Sequence, residues 1–237
     1  MTYESMQSHE SVTIHFGPND YRRHGVVSLI EPYVIGRKVL DMRALDGALT
    51  LKCAGQASEV VSLDAYPAAL KALQETAEQQ GLTNIKAKHW HLDDLVPSVE
   101  TSGFDCVICA DVLNHVPDDS KTLADISRII ASDGRLILLV PSNPDLLGKR
   151  DQSLGHLKRY RKRELASQLE KHGFQVEKMR RWNFLALPAY FLIEKVFKKR
   201  VSDQIRYVGA SSKRNLLGVV LRFWYRHIEQ KVQYDPQ

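Results

Sequence analysis

At 237 residues, with 43% apolar and 26% charged residues, the chain has the material for one large folded domain or one domain with an appendage. Three cysteines argue against a disulfide framework, no stretch reads as a signal peptide, and the longest apolar run, Phe184 to Ile193, is too short to span a bilayer and carries Pro188. The expected location is therefore cytoplasmic, and the net charge of +5 conceals an asymmetry: residues 149–237 hold 21 Lys and Arg against 8 Asp and Glu, while the rest carries a net −8. A basic last third suits phosphates, an anionic membrane surface or an acidic partner, and equally a well-solvated face.

Residues 1–20 are polar and aperiodic and read as an arm. Tyr21 to Ile35 has helical spacing, with Gly36 as a stop. A first buried strand follows at about 38–42, then a tight turn through Asp46-Gly47 and a short helix over 48–56. EVVSLDA (59–65) is a second apolar run ending in an acid, and Pro67 opens a helix closed by Gly81. NIKAKHW (84–90) alternates as a third strand. FDCVICA (104–110) is apolar enough for a strand covered on both faces, so its CxxC, Cys106 and Cys109, reads as packing. Asp118 caps a helix reaching Ala131, Asp133-Gly134 turns the chain, and RLILLV (135–140) is a fifth strand ended by Pro141. Residues 142–161 read as a long loop of the kind used as lids and binding loops. A helix over Lys162 to His172 and an alternating sixth strand, FQVEKMRRW (174–182), come next, then two basic amphipathic helices at about 184–200 and 212–231. Strands alternating with helices predict a doubly wound, mostly parallel α/β sheet, Rossmann-like in layout. The expected division is an arm (1–20), an α/β domain (21–182) and a basic helical region (183–237).

VLDMRALDGALT, EVVSLDAYPAAL and the long stretch FDCVICADVLNHVPDDSKTLADISRIIASDGRLILLVPSN resemble the first motif, the second motif and the fourth-to-fifth-strand segment of class I S-adenosylmethionine-dependent methyltransferases. GHLKRYRKRELASQLEKHGFQVE is similar to a stretch that follows in bacterial small-molecule and glycan methyltransferases. The resemblance covers about 38–182. It implies S-adenosylmethionine as cofactor, lying against Asp41, Arg43, Leu45, Gly47, Asp64, Ala65, His91, Leu92 and Asp111. It also implies an acceptor met at Asn114 and His115 and bordered by His156, Arg159 and Tyr160. No metal site is assigned. The family closes its sheet with an antiparallel seventh strand, for which QIRYVGA (204–210) is the candidate unless the chain is a truncated piece.

The chain departs from the family at the cofactor turn. The family's three glycines fall at Arg43, Leu45 and Gly47, and only the third is kept. Arg43 either pairs with the cofactor's carboxylate or pairs with Asp41 or Asp46 and closes the site. His91 stands where an acid usually meets the adenine, as a ring-nitrogen partner or as an ordinary surface residue. Asp64 suits a ribose diol or a helix cap, and His115 suits a general base or a polar cap before the next helix. Arg159 and Lys158 either hold an anionic acceptor or form a solvated face. FLALPAYFLIEKVFKKR suits an interfacial helix at a membrane, or packing on the sheet or on a protein partner. Nothing indicates a specific nucleic acid. Two functions follow: a methyltransferase acting on a small-molecule, glycan or lipid-linked acceptor, or a catalytically inactive methyltransferase-like domain, a pseudoenzyme, serving as a binding or scaffolding subunit.

Overall fold

The computed structural model describes residues 21–45, 47–90, 95–99 and 103–180. In chain order the elements are α1 (Tyr21–Ile30), β1 (Lys38–Asp41), α2 (Ala48–Ala54), β2 (Glu59–Asp64), α3 (Pro67–Gln79), β3 (Ile85–His89), α4 (Leu95–Val99), β4 (Phe104–Ala110), α5 (Asp119–Ile129), β5 (Ile130–Leu139), α6 (Lys149–Leu154) and α7 (Lys162–Lys171). The strands form one sheet in the order β3-β2-β1-β4-β5, and every pairing is parallel. This is the doubly wound α/β fold expected from the alternating pattern. The order reverses between β1 and β4, so the crevice beyond their carboxyl ends is where such sheets take ligands.

The strands are apolar on both sides because both sides are covered. Leu40, Val61, Val107 and Cys109 face one cluster, shared with Leu95 of α4, Leu123 and Ile126 of α5, and Leu165 and Leu169 of α7. Val39, Val60, Cys106 and Ile108 face the other, under α1 and Cys53 and Ala54 of α2. Cys106 and Cys109 thus lie on opposite faces of the sheet. Burial pushes both thiols up to about 12, which leaves them protonated packing groups. Leu70, Leu73 and Ala77 of α3 close a third cluster with Leu51.

Several element ends differ from the sequence reading. The first helix turns 3-10 over Glu31–Tyr33, and Pro32 inside that segment explains the change, since it lacks the N–H an α-helix would use. The second helix ends at Ala54, and the fifth at Ile129 rather than Ala131, although Asp118 caps it as expected by accepting from Lys121 N at 2.9 Å. α4 was not anticipated, and the segment 142–161 is not a bare loop: it holds a 3-10 turn at Pro144–Leu146 and α6. The sixth strand is corrected as well. Residues 174–180 carry no strand, and Phe174, Val176 and Met179 pack against the core instead. Alternation there records which side chains face the core, and a ladder needs a paired backbone besides. The rest of that stretch, the 204–210 candidate and the basic helices beyond 183 lie outside the described residues. Among the described residues no helix is long and apolar enough to cross a membrane.

The expected turn at Asp133-Gly134 is corrected too: β5 starts at Ile130, not at 135, and runs through both residues, with a register shift between Phe104 and Cys106 taking up the extra chain. A Cβ on Gly134 would stand 2.7 Å from Ile130 Cγ1 and 2.8 Å from Phe104 O. The backbone oxygen cannot yield cheaply, so Gly134→Ala is expected to cost about 2 kcal/mol, read as a lower urea midpoint with unchanged slope. An unchanged midpoint would show that the irregular start of the strand can shift to make room.

Candidate active site

The turn after β1 keeps one of the three motif glycines, Gly47, and a left-handed residue at the second motif position. Leu45 has φ +53° and Gly47 φ +73°. The second motif position therefore still requires the left-handed region that glycine enters freely, and leucine occupies it at a cost of about 1–2 kcal/mol. Two further non-glycine residues are left-handed, Asp111 after β4 (φ +59°) and Asn143 after β5 (φ +62°). All three stand on the carboxyl edge of the sheet. Backbone strain gathered on one edge is a mark of a functional site.

Asp41 ends β1 fully buried. It accepts from Thr50 Oγ1 at 2.6 Å and from Arg43 N at 3.3 Å, and Thr50 in turn meets Ser62 Oγ at 3.0 Å. Its place is beneath the turn, which it shapes. Arg43 lies across the crevice with its side chain 11% exposed. Its Nη1 donates to Asp111 O at 2.6 Å and stands 3.7 Å from Asp111 Oδ2. The guanidinium reaches Asp111 rather than Asp41. Among the described residues no other nitrogen of this group has a partner, so its fork remains open to a carboxylate. Leu45 is 42% exposed, and its N–H donates to Asp64 Oδ2 at 2.8 Å.

Asp64 ends β2 almost wholly buried. Its second oxygen accepts from Tyr66 N at 2.9 Å. Burial raises this carboxyl, against the lowering pull of the Leu45 and Tyr66 amides and of Arg43. Each oxygen keeps a lone pair beyond the amide it accepts, which a vicinal diol can use. Ala65 follows, its carbonyl in contact with His89 Nε2 at 3.1 Å. His91 and Leu92 lie outside the described residues.

On the other side of the switch, Asp111, Asn114 and His115 follow β4. Asn114 Nδ2 donates to Asp111 Oδ1 at 2.9 Å. The Asp111 side chain is 49% exposed. Its packed surroundings raise its carboxyl, but Arg43, His156 and His115 outweigh them and hold it below the usual carboxylate range. His115 is 7% exposed. Its Nδ1 meets Gly155 O at 3.1 Å, and burial, reinforced by Arg43, lowers the imidazole to about 4, so it is neutral at physiological pH. His156 packs edge-on against it, ring centroids 5.0 Å apart.

The segment 142–161 seats His156 there. Leu157 N bonds Asn114 O at 2.7 Å, and Tyr160 N bonds Pro141 O at 2.9 Å. Its organiser is Asp151, 1% exposed, which the sequence reading missed. One oxygen meets His156 Nδ1 at 2.9 Å, and both accept from Arg159 Nε at 2.9 and 3.0 Å. Burial raises this carboxyl, and His156 and Arg159 more than reverse the shift. Arg159 also donates to Ser142 O, and Lys158 pairs with Asp119 at 2.7 Å. The Tyr160 hydroxyl lies 2.8 Å from Leu113 O and 3.0 Å from Asp119 Oδ2. These side chains hold the segment down onto β4 and α5. The signal available was the Asp151, His156, Arg159 spacing in a segment read as a long binding loop.

Among the described residues, three buried polar atoms have no hydrogen-bond partner: Trp90 Nε1, Asn114 Oδ1 and His115 Nε2. All belong to residues that follow β3 or β4, hence to the same edge of the sheet. Unsatisfied buried groups are rare in folded proteins, and here they converge where the crevice opens. The residues present fit a nucleoside bearing an amino-acid tail: a buried carboxylate for a diol, a half-free guanidinium for a carboxylate, and a glycine-type turn between them.

Comparison with known proteins identifies the family. The methyltransferase domain family matches residues 36–186. The uncharacterized methyltransferase YcgJ of Bacillus subtilis (strain 168) is 27% identical over 127 residues, 52% of this chain and 48% of that protein. A ubiquinone/menaquinone biosynthesis C-methyltransferase, UbiE, of Marinomonas sp. is 32% identical over 114 residues, 46% of this chain and 45% of that protein. A ubiquinone biosynthesis O-methyltransferase of Glaesserella parasuis is 29% identical over 108 residues, 44% of this chain and 45% of that protein. The matched stretch thus spans about half the length of these relatives. The solved Bacillus YcgJ structure superposes with a TM-score of 0.56 at 17% identity, covering 63% of this chain and 68% of that one, which shows the shared fold. With the family matched across the sheet, the cofactor turn and the segment over β4, the chain belongs to the methyltransferase domain family, and S-adenosylmethionine is the cofactor that membership implies.

Proposed function

We propose that the protein transfers the methyl group of S-adenosylmethionine to a hydroxyl oxygen of a small acceptor, whether free, sugar-linked or lipid-linked. The observation that carries this reading is the polar cluster after β4. His115 is buried and neutral with Nε2 unpaired, beside the Asp111 carboxylate and Asn114 Oδ1. A hydroxyl is a poor nucleophile until its proton leaves, and this cluster is where the chain offers unpaired acceptor atoms. Relatives named for O-methylation in ubiquinone biosynthesis support an oxygen acceptor. The cofactor, when bound, supplies a methyl on a sulfonium sulfur. What the chain must add is placement: Asp64 for the nucleoside, Arg43 for the carboxylate tail, and the segment docked by Asp151 as a wall against water. The anionic-acceptor reading gains nothing at Lys158 and Arg159, since both are paired with carboxylates.

One observation favours the second reading, an inactive domain that binds or scaffolds. Arg43 spans the two halves of the crevice and latches the turn to Asp111 O. Calorimetric titration with S-adenosylmethionine and S-adenosylhomocysteine separates the two. Micromolar binding by the native chain, followed by labelled methyl transfer to phenolic or sugar hydroxyls, is expected. No heat at millimolar cofactor, with binding gained in Arg43→Gly, would establish the latch as a lock and the domain as a scaffold.

A further inference from the structure

The polar cluster has a feature that hydroxyl activation alone does not require. Asp111, His115 and His156 each place one ligating atom within 4.8 Å of the others. Both imidazoles are oriented from behind. His115 Nδ1 meets the Gly155 carbonyl at 3.1 Å, and His156 Nδ1 meets the Asp151 carboxylate at 2.9 Å. An oxygen at Nδ1 fixes the proton there and leaves the Nε2 lone pair free on each ring. The His115 Nε2 is buried and unpartnered, and the His156 Nε2 stands 3.7 Å from Asp111 Oδ1. That separation is too long for a hydrogen bond. It is close to the roughly 3.4 Å between two ligand atoms on a tetrahedral ion at about 2.1 Å from each. Arg43 approaches the other oxygen of Asp111, Oδ2, and Asn114 steadies Oδ1.

We infer that Asp111, His115 and His156 form a binding site for one divalent first-row transition-metal ion, with Asp151 and the Gly155 carbonyl as its supporting shell. Two imidazoles and one carboxylate suit zinc, cobalt, manganese or iron rather than magnesium or calcium, which prefer oxygen donors. Carboxylate–histidine–metal relays are the usual way of fixing a ligating ring, and the Asp151–His156 pair has that form. Three protein ligands leave a position for an oxygen of water or acceptor. The site deepens the methyltransferase reading, on which its role rests: with an ion bound, His115 Nε2 would be a ligand rather than the proton acceptor, and a hydroxyl held by the ion would give up its proton to solvent more readily, next to the cofactor crevice. The Arg43 charge nearby sets the site toward moderate affinity.

Cobalt(II) chloride added to the chelator-treated full chain tests this. Expected are one ion per chain and visible d–d absorption. His115→Ala and His156→Gln should each weaken binding by about 100-fold, Asp151→Asn by about 10-fold, and His172→Ala, distant from the cluster, should leave it unchanged. Circular dichroism of each variant checks folding, and His156→Gln keeps the test open if His115→Ala fails to fold. Absence of cobalt binding, or binding that both ligand variants retain, overturns the site and leaves His156 as a packing and hydrogen-bonding partner of Asp151. Calorimetry with S-adenosylmethionine on the same metal-free samples keeps the two claims apart. Methyl transfer persisting in chelator with no cobalt uptake removes the ion and preserves the enzyme. Cobalt uptake without cofactor binding does the reverse.

Discussion

Asp64→Ala is expected to weaken S-adenosylmethionine binding by about 100-fold and to lower stability by about 2 kcal/mol, since two charge-assisted hydroxyl contacts and two buried amide contacts are lost together. Asp64 is 2% exposed and accepts from Leu45 N and Tyr66 N. Alanine strands both amides, one in the cofactor turn and one at the start of α3. Asparagine is no remedy, because its NH2 would face one of those N–H groups. The paired experiment is Leu45→Gly. Leucine at φ +53° holds the turn under strain, and its side chain, 42% exposed, contributes little packing. Glycine removes the strain but has a looser unfolded chain, so the net gain is expected to be about 0.5 kcal/mol with cofactor affinity kept or improved. Opposite signs at two residues joined by one hydrogen bond would show that the turn binds a nucleoside through Asp64 and tolerates leucine as a bystander. Equal affinity in Asp64→Ala would remove that carboxylate from the cofactor site.

The same turn shows how far residues alone carry a reading. An apolar run closed by an acid located β1, β2 and the turn between β1 and α2, because burial on both faces and a helix start leave local marks in composition. The strands at 104–110 and 59–64 match for that reason. What composition does not carry is where a side chain turns. Arg43 had two readings of equal physical sense, toward the cofactor or toward Asp41 and Asp46, and the structure sends it to Asp111, 68 residues away. His115 had no visible partner in sequence, because Gly155 lies 40 residues on in what looked like loop. Asp151 was missed on the same ground. Its burial depends on α6 docking over β4, and a six-residue helix with no apolar periodicity gives no warning of it. The false sixth strand is the converse case, a true local pattern over 174–180 with no strand neighbour among the described residues.

The chain in chelator is expected to lose roughly 3 kcal/mol of stability as pH falls from about 6.5 to about 4, and His115→Gln is expected to abolish that loss. Burial holds the His115 imidazole at about 4, assisted by Arg43 and the neighbouring His156 and opposed by Asp111 and the Gly155 carbonyl. In the unfolded chain an imidazole binds its proton near pH 6.5. Between those values the unfolded chain is protonated and the folded one is not, so acid favours unfolding. Above the window both states are neutral and the contribution is complete, and below it both are charged and no more is lost. Asp111, Asp119 and Asp151 are all held below the ordinary carboxylate range, so their contributions are present above the unfolded carboxylate value and disappear only in stronger acid. The two sets separate on the pH axis, and a urea midpoint measured at half-unit steps resolves them. Glutamine can still donate to the Gly155 carbonyl but does not titrate, so it removes the proton without removing the contact. Parallel native and variant curves from neutrality to about pH 4 would mean that His115 titrates as a solvated ring, and the buried, unpaired Nε2 on which both the acceptor site and the metal site depend would go with it.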